Sequence, residues 1–164
     1  MINDKFDEML LEVGFDKMSL YNRNQLMVNI GSRESVNYDE ITEDFILEYH
    51  RKMKKEIFSD NCNKEIIDGF VASNGHRYRL NRDDQVNFMG KMLQIMNDPT
   101  LVIINWKTED IGYLEHTKEE WLKIFNEGLV HKESILYKYN VLSIKLEEAI
   151  TQEEIVSLTW DLQV

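Results

Sequence analysis

The spacing of apolar residues changes along the chain, and each change predicts an element. Phe6, Met9, Leu10 and Val13 recur at helical spacing, which predicts a helix over 3–13 closed by Gly14. Gln25-Leu26-Met27-Val28-Asn29-Ile30 reads as a short strand ending at Gly31-Ser32, although helix and strand are hard to separate over so brief a run. Ile41, Phe45, Tyr49, Met53 and Ile57 fall four apart and predict a helix over 38–58. Its acids (Asp39, Glu40, Glu43, Asp44) come early and its lysines (Lys52, Lys54, Lys55) late, which complements the helix dipole. Ser59–Lys64 is polar and asparagine-rich. It is expected to join a helical N-terminal part, 1–60, to a main domain, 61–164.

In the main domain the period switches to two. Asn74-Gly75 predicts a hairpin over 69–80 with a two-residue type I′ turn, pairing Val71 with Tyr78 and Phe70 with Arg79. That register puts Val71, Tyr78 and Leu80 on a buried face and Arg77 and Arg79 on a wet one. Asn81 or Asp83 caps the next helix, 84–97, which Asp98-Pro99 stops. Val86, Met89, Leu93 and Met96 form one stripe on it, with Phe88, Met92 and Ile95 alongside, so contact on more than one side is expected. Leu101–Trp106 is a candidate buried strand. Lys107–Asp110 is turn-like, and Ile111–Glu115 can return as partner.

Thr117-Lys118-Glu119-Glu120 is a capping box that opens a long helix, 117–150. Leu122, Phe125, Leu129, Leu136, Tyr139, Leu146 and Ile150 follow a near-heptad register along it. A helix of that length spans about 50 Å, longer than the diameter of a domain with a radius of gyration near 15 Å, roughly. Part of it should overhang, or kink near Asn140. Its stripe either packs on its own sheet or bundles with copies or another subunit. Thr151–Glu154 repeats the capping chemistry before a short last helix. The fold class is therefore α+β and helix-rich, in the order ββαββα, with a small antiparallel sheet of hairpins, a long C-terminal helix and a mainly helical N-terminal part.

Composition narrows the function classes. The 164 residues are 43% hydrophobic and 10% aromatic, ample for a core. With 7 glycines and 1 proline, long helices are favoured over a loop-rich β fold. A net charge of −11 disfavours nucleic acid and anionic membranes as partners. The start is interrupted by charge and does not read as a signal peptide, and the longest apolar run, Leu101–Ile104, is too short to span a bilayer. One cysteine, Cys62, forms no internal disulfide, so folding in a cytoplasm is expected.

No catalytic constellation converges. His50, His76, His116 and His131 lack the spacing of a helical metal pair. Cys62 sits in a polar stretch without a glycine elbow. Asp83-Asp84 opens a helix, where acids are favourable anyway. There is no phosphate loop. Neither cofactor nor metal is expected. Arg77, Arg79 and Arg82 surround Tyr78 and are candidates for contact with an acidic partner, against a plainer reading as a solvated face paired to Asp83 and Asp84.

Read in order, these residues carry a resemblance: Asn74–Arg79, Asn81–Gln85, Trp106-Lys107-Thr108, the long helix, then Thr151–Ile155 ahead of Trp160. The stretch 68–160 resembles an uncharacterised bacteriophage tail-associated domain family, encoded near tail-fibre and tail-fibre-assembly genes. The resemblance implies no chemistry. It implies a non-enzymatic virion structural protein at the tail, baseplate or tail-fibre junction, made in the host bacterial cytoplasm and assembled into the virion tail. Its partners would be other phage tail proteins and copies of itself. The expected interface residues are Leu122, Phe125, Leu129, Leu136, Tyr139, Leu146 and Ile150, with Met89, Met92 and Met96 on the preceding helix. The alternatives are an assembly chaperone left out of the virion and an acidic host-directed inhibitor that mimics nucleic acid.

Overall fold

The computed structural model describes residues 4–162, and the expected start of the first helix at Asn3 lies outside them. The fold is α+β. In chain order come α1 (Lys5–Val13), α2 (Leu20–Glu34), α3 (Glu43–Asp68), β1 (Phe70–Val71), β2 (Arg77–Tyr78), α4 (Arg82–Asn97), β3 (Ile103–Thr108), β4 (Gly112–Thr117), α5 (Lys118–Glu148) and α6 (Gln152–Ser157). The chain forms two compact units. One takes its described residues from 1–61 and 139–164, the other from 62–138.

In the first unit, Asp4 caps α1 by accepting from the Phe6 and Asp7 amides. Gly14, at φ +78°, ends it. The expected strand at Gln25–Ile30 is part of α2 instead. Ser19 caps that helix, and Leu26 and Ile30, one turn apart, are both fully enclosed. The local run was ambiguous, and burial of one helical face decides it. Gly31 sits within the helix, which ends at Ser35 in the left-handed region.

α3 starts at Glu43, with Thr42 Oγ accepting from the Phe45 amide, and continues through Ser59–Lys64 without a break. The expected polar joint is therefore helix. Asparagine and serine weaken a helix only modestly, and Phe58, Cys62 and Ile66 are buried along it at four-residue spacing.

A buried carboxylate ties this unit together. Asp7 is enclosed, receives both terminal guanidinium nitrogens of Arg33, and accepts from Tyr49 Oη at 3.1 Å. The C-terminal helices are tied to α3 by charge on carbonyls. Arg51 donates twice to Ala149 O, and Lys54 Nζ donates to Leu158 O at 2.9 Å. Phe58, Leu142, Leu146 and Ile155 pack beneath, with the Trp160 ring 6.2 Å from that of Phe58.

In the second unit the first hairpin is shifted by one residue from the expected register. Phe70 pairs with Tyr78 and Val71 with Arg77. The loop has three residues: Gly75 N–H closes a turn on Ala72 O, and Gly75 takes φ +86°. Asn-Gly thus serves a type I turn followed by a left-handed residue, not a type I′ pair. A one-residue slip exchanges faces. Phe70, Ala72, Tyr78 and Leu80 are buried, while Val71 joins Arg77 and Arg79 in solvent.

The second hairpin pairs Ile104 with His116 and Thr108 with Gly112. It alternates rather than being buried throughout: Ile104 and Thr108 face in, Ile103 and Lys107 face out. The two hairpins are separate two-stranded sheets, bridged by a bond from Glu109 N–H to Arg77 O.

Thr117 and Glu120 form the expected capping box at the start of α5. The enclosed face of α5 lies one residue from the expected stripe. Trp121, Gly128, Ile135 and Leu142, spaced by seven, are buried, and Ala149 just past the end of the helix continues the series. Two of them are small, so an apolar count passes over them. At Gly128 the reason is close approach: a Cβ there would lie 2.8 Å from Phe70 Cε1.

Candidate interaction site

α4 presents the candidate site. Asn81 caps it by accepting from the Asp84 amide at 2.9 Å, and Asp98 ends it. Its inner side carries Phe88 and Ile95. Phe88 joins an aromatic cluster, with ring centroids 4.5 Å from Trp106 and 5.7 Å from Trp121. Phe125 completes it, 5.6 Å from Trp121. That cluster fixes the rotation of α4, so the stripe Val86, Met89, Leu93 and Met96 points outward. These four are 65%, 56%, 56% and 69% exposed. Their spacing of three, four and three is that of a coiled-coil seam two heptads long. Around them, residues 85–97 contain a single charged side chain, Lys91.

Beside the stripe lies a hollow of about 120 Å³, lined by Leu80, Phe88, Met89, Phe125 and Leu129. At its rim Lys132 Nζ donates to Gln85 Oε1 at 2.5 Å. The hollow is large enough for one apolar side chain of a partner.

The other expected interface residues divide. Met89, Met96, Leu129, Leu136 and Ile150 are exposed, whereas Met92, Leu122, Phe125 and Tyr139 are half-buried. Leu146, at 1% exposure, is core and offers no surface. Val86 and Leu93 complete the α4 seam, whereas the expected interface takes only Met89, Met92 and Met96 from this helix. The signal was present in their spacing, but it also suited a buried helix. The arginine face is partly neutralised. Arg79 Nε donates to Asp84 at 2.8 Å with Glu109 near, and Arg77 donates to Asp68 O. Arg82 is exposed beside them.

Groups with chemical potential are held elsewhere. Burial raises the Cys62 thiol pKa, which keeps it protonated. His116 is enclosed, its Nε2 3.3 Å from Tyr78 Oη, and burial lowers its pKa. His76 Nδ1 meets Asp110 at 2.7 Å, and that hydrogen bond lowers the carboxyl to about 2. Among the described residues no cluster of histidine, cysteine and acid is arranged to hold a metal ion, and no helix is long and apolar enough to cross a membrane. A groove of about 380 Å³ in the first unit is lined by Arg51, Lys52 and Lys55, each paired to a carboxylate.

The family model for a domain of unknown function, DUF4376, matches residues 49–160. The chain belongs to that family. No curated protein and no solved structure matches it. The DUF4376 stretch begins inside α3, takes in the whole of α4 and both hairpins, and ends after α6 at Trp160. The α4 seam and its hollow therefore lie within it, whereas the Asp7–Arg33 tie lies before it.

Proposed function

We propose that this DUF4376 protein is a non-enzymatic docking subunit of a bacteriophage tail, placed at a baseplate, tail-tip or tail-fibre junction. The docking part of this reading rests on one observation: α4 carries an outward apolar seam of Val86, Met89, Leu93 and Met96 in an otherwise acidic chain. Exposed apolar surface of this regularity marks contact sites, and heptad spacing suits a helix laid alongside. The tail setting rests on the sequence resemblance over 68–160.

The partners are tail proteins and copies of the chain itself. Sedimentation of the purified chain, alone and with candidate tail proteins, tests the docking. Self-association or complex formation that is lost in Met89→Lys/Leu93→Lys is the expected result. Mass spectrometry of purified particles tests the setting. A chain that stays monomeric, binds no tail protein and is missing from particles would overturn the reading. The methionines favour a second reading, an assembly chaperone, because methionine surfaces adapt to varied partners. Binding to a tail protein together with absence from particles would select it.

A further inference from the structure

A second surface adjoins the α4 seam and shares Val86 with it. Hydrogen bonding alternates along an antiparallel strand, one residue bonding inward and the next outward. On β3 the sense of the alternation is fixed at both ends. Val102 O accepts from Lys118 N–H on the β4 side, and Glu109 N–H donates to Arg77 O on the opposite side. Even-numbered residues of β3 therefore bond to β4. The main-chain N–H and C=O groups of Asn105 and Lys107 point away from it. Among the described residues none of these four groups has a partner on that side.

The same two residues, Asn105 and Lys107, line a groove of about 560 Å³. Asn105, Trp106 and Lys107 form one wall, and Asn87, Gly90 and Lys91 of α4 form the other. Gly90 leaves the helical wall unobstructed, since a Cβ there would meet nothing within 4 Å. A strand edge opposite a helix, with an open trough between, is the geometry that accepts an extended chain as an added strand. Trp106 on one face of the hairpin and Tyr113 on the other also line it and add apolar surface.

Charge selects the occupant. The groove holds Arg79, Lys91 and Lys107 against Asp84 and Glu109. Both acids lie against Arg79, whose single charge offsets one of them. Lys91 donates only to Gln94, and neither Lys91 nor Lys107 forms an ion pair among the described residues. The lining sums to one positive charge, a local exception in a chain of net charge −11, and its two unpaired lysines are what suit an acidic ligand.

We propose that the trough between α4 and the free edge of β3 binds an extended acidic segment of a partner polypeptide, which adds as a third strand against Asn105 and Lys107.

The test uses the full chain and short labelled peptides, read by fluorescence anisotropy. The probes are an alternating valine–aspartate peptide, its valine–lysine counterpart, and the acidic peptide N-methylated on alternate residues. The acidic peptide should bind, and the other two should bind at least about tenfold more weakly. Asn105→Pro removes one outward N–H while sparing the bonds to β4, as proline on a free strand edge does. It should weaken binding about tenfold, whereas Asn105→Ala should change it little. If Asn105→Pro does not fold, the N-methylated peptide carries the same comparison. Slowed hydrogen exchange at the Asn105 and Lys107 amides on binding would support the strand. Equal binding of the N-methylated peptide would reduce the site to anion attraction by the lysines and overturn the proposal, as would no binding by any peptide.

Discussion

His50 should make this protein lose stability in mild acid. The imidazole is fully enclosed on α3. Its Nδ1 lies 2.6 Å from Gln152 Oε1, so Nδ1 carries the proton and donates it. Nε2 is then left bare, buried and without a partner among the described residues. Protonating Nε2 would place an unsolvated charge there. Burial lowers the folded pKa from 6.5 to about 4, Lys54 adds to the effect, and the Gln152 bond opposes it. Because the folded pKa lies below the unfolded one, the unfolded chain binds more protons between these values. Stability is thus complete above the unfolded pKa and is lost as pH falls toward about 4. Between about pH 7.5 and about pH 5 the loss from this group is about 2 kcal/mol, at 1.36 kcal/mol per unit. Urea unfolding at the two values should give that difference beyond the one seen in His50→Gln, which cancels the other titrating groups. An NMR titration of the ring should find its midpoint well below that of a free histidine. Parallel pH profiles for the two proteins, or a ring midpoint near 6.5, would refute the argument.

Asp7→Asn should cost about 3 kcal/mol in chemical denaturation, the low end for breaking a buried pair, because Arg33 keeps some solvent contact. Gly90→Ala should stabilise α4 by up to about 1 kcal/mol, since nothing crowds a Cβ there. The same change at Gly128 should instead destabilise by up to about 2 kcal/mol, because Phe70 is hemmed in by Tyr78 and His131. Thr117→Ala should cost about 1 kcal/mol by removing the α5 cap, and thermal unfolding would register it. Added salt should strengthen self-association through α4 and weaken acidic-peptide binding beside β3, and sedimentation and anisotropy series would separate the two.

Elements whose signals are local were legible in the sequence. The capping boxes at Thr117 and Thr151 and the stop at Asp98-Pro99 stand where their residues predict. Errors arose where a tertiary contact decides. Leu26 and Ile30 suit a strand or a helix, and only burial against the other helices separates them. Asn74-Gly75 marks a turn, but the loop length that sets the register depends on which neighbours can be buried. Phe70 is accommodated there because Gly128 is small. That pairing joins residues far apart in sequence, and neither residue signals it alone. The candidate site was half-legible for the same reason. The α4 stripe could be read from spacing, but its exposure follows from Phe88 locking into Trp106 and Trp121 on the inner side.

The opposed salt effects follow from where the charge is. With 30 acids against 19 lysines and arginines, two copies repel as they approach. Residues 85–97 contribute almost nothing to that repulsion, so a contact along α4 brings together surface with a single charged side chain per copy, Lys91. At 0.1 M salt the Debye length is about 10 Å, so the rest of each chain still opposes the contact and more salt relieves it. The trough beside β3 works the other way. Lys91 and Lys107 attract an acidic strand at close range, and salt screens that attraction directly. Hydrogen bonds from the Asn105 and Lys107 amides are barely screened, so some affinity should remain at high salt. If both associations weakened together as salt rose, the neutral α4 seam would not be the surface that joins copies of this chain.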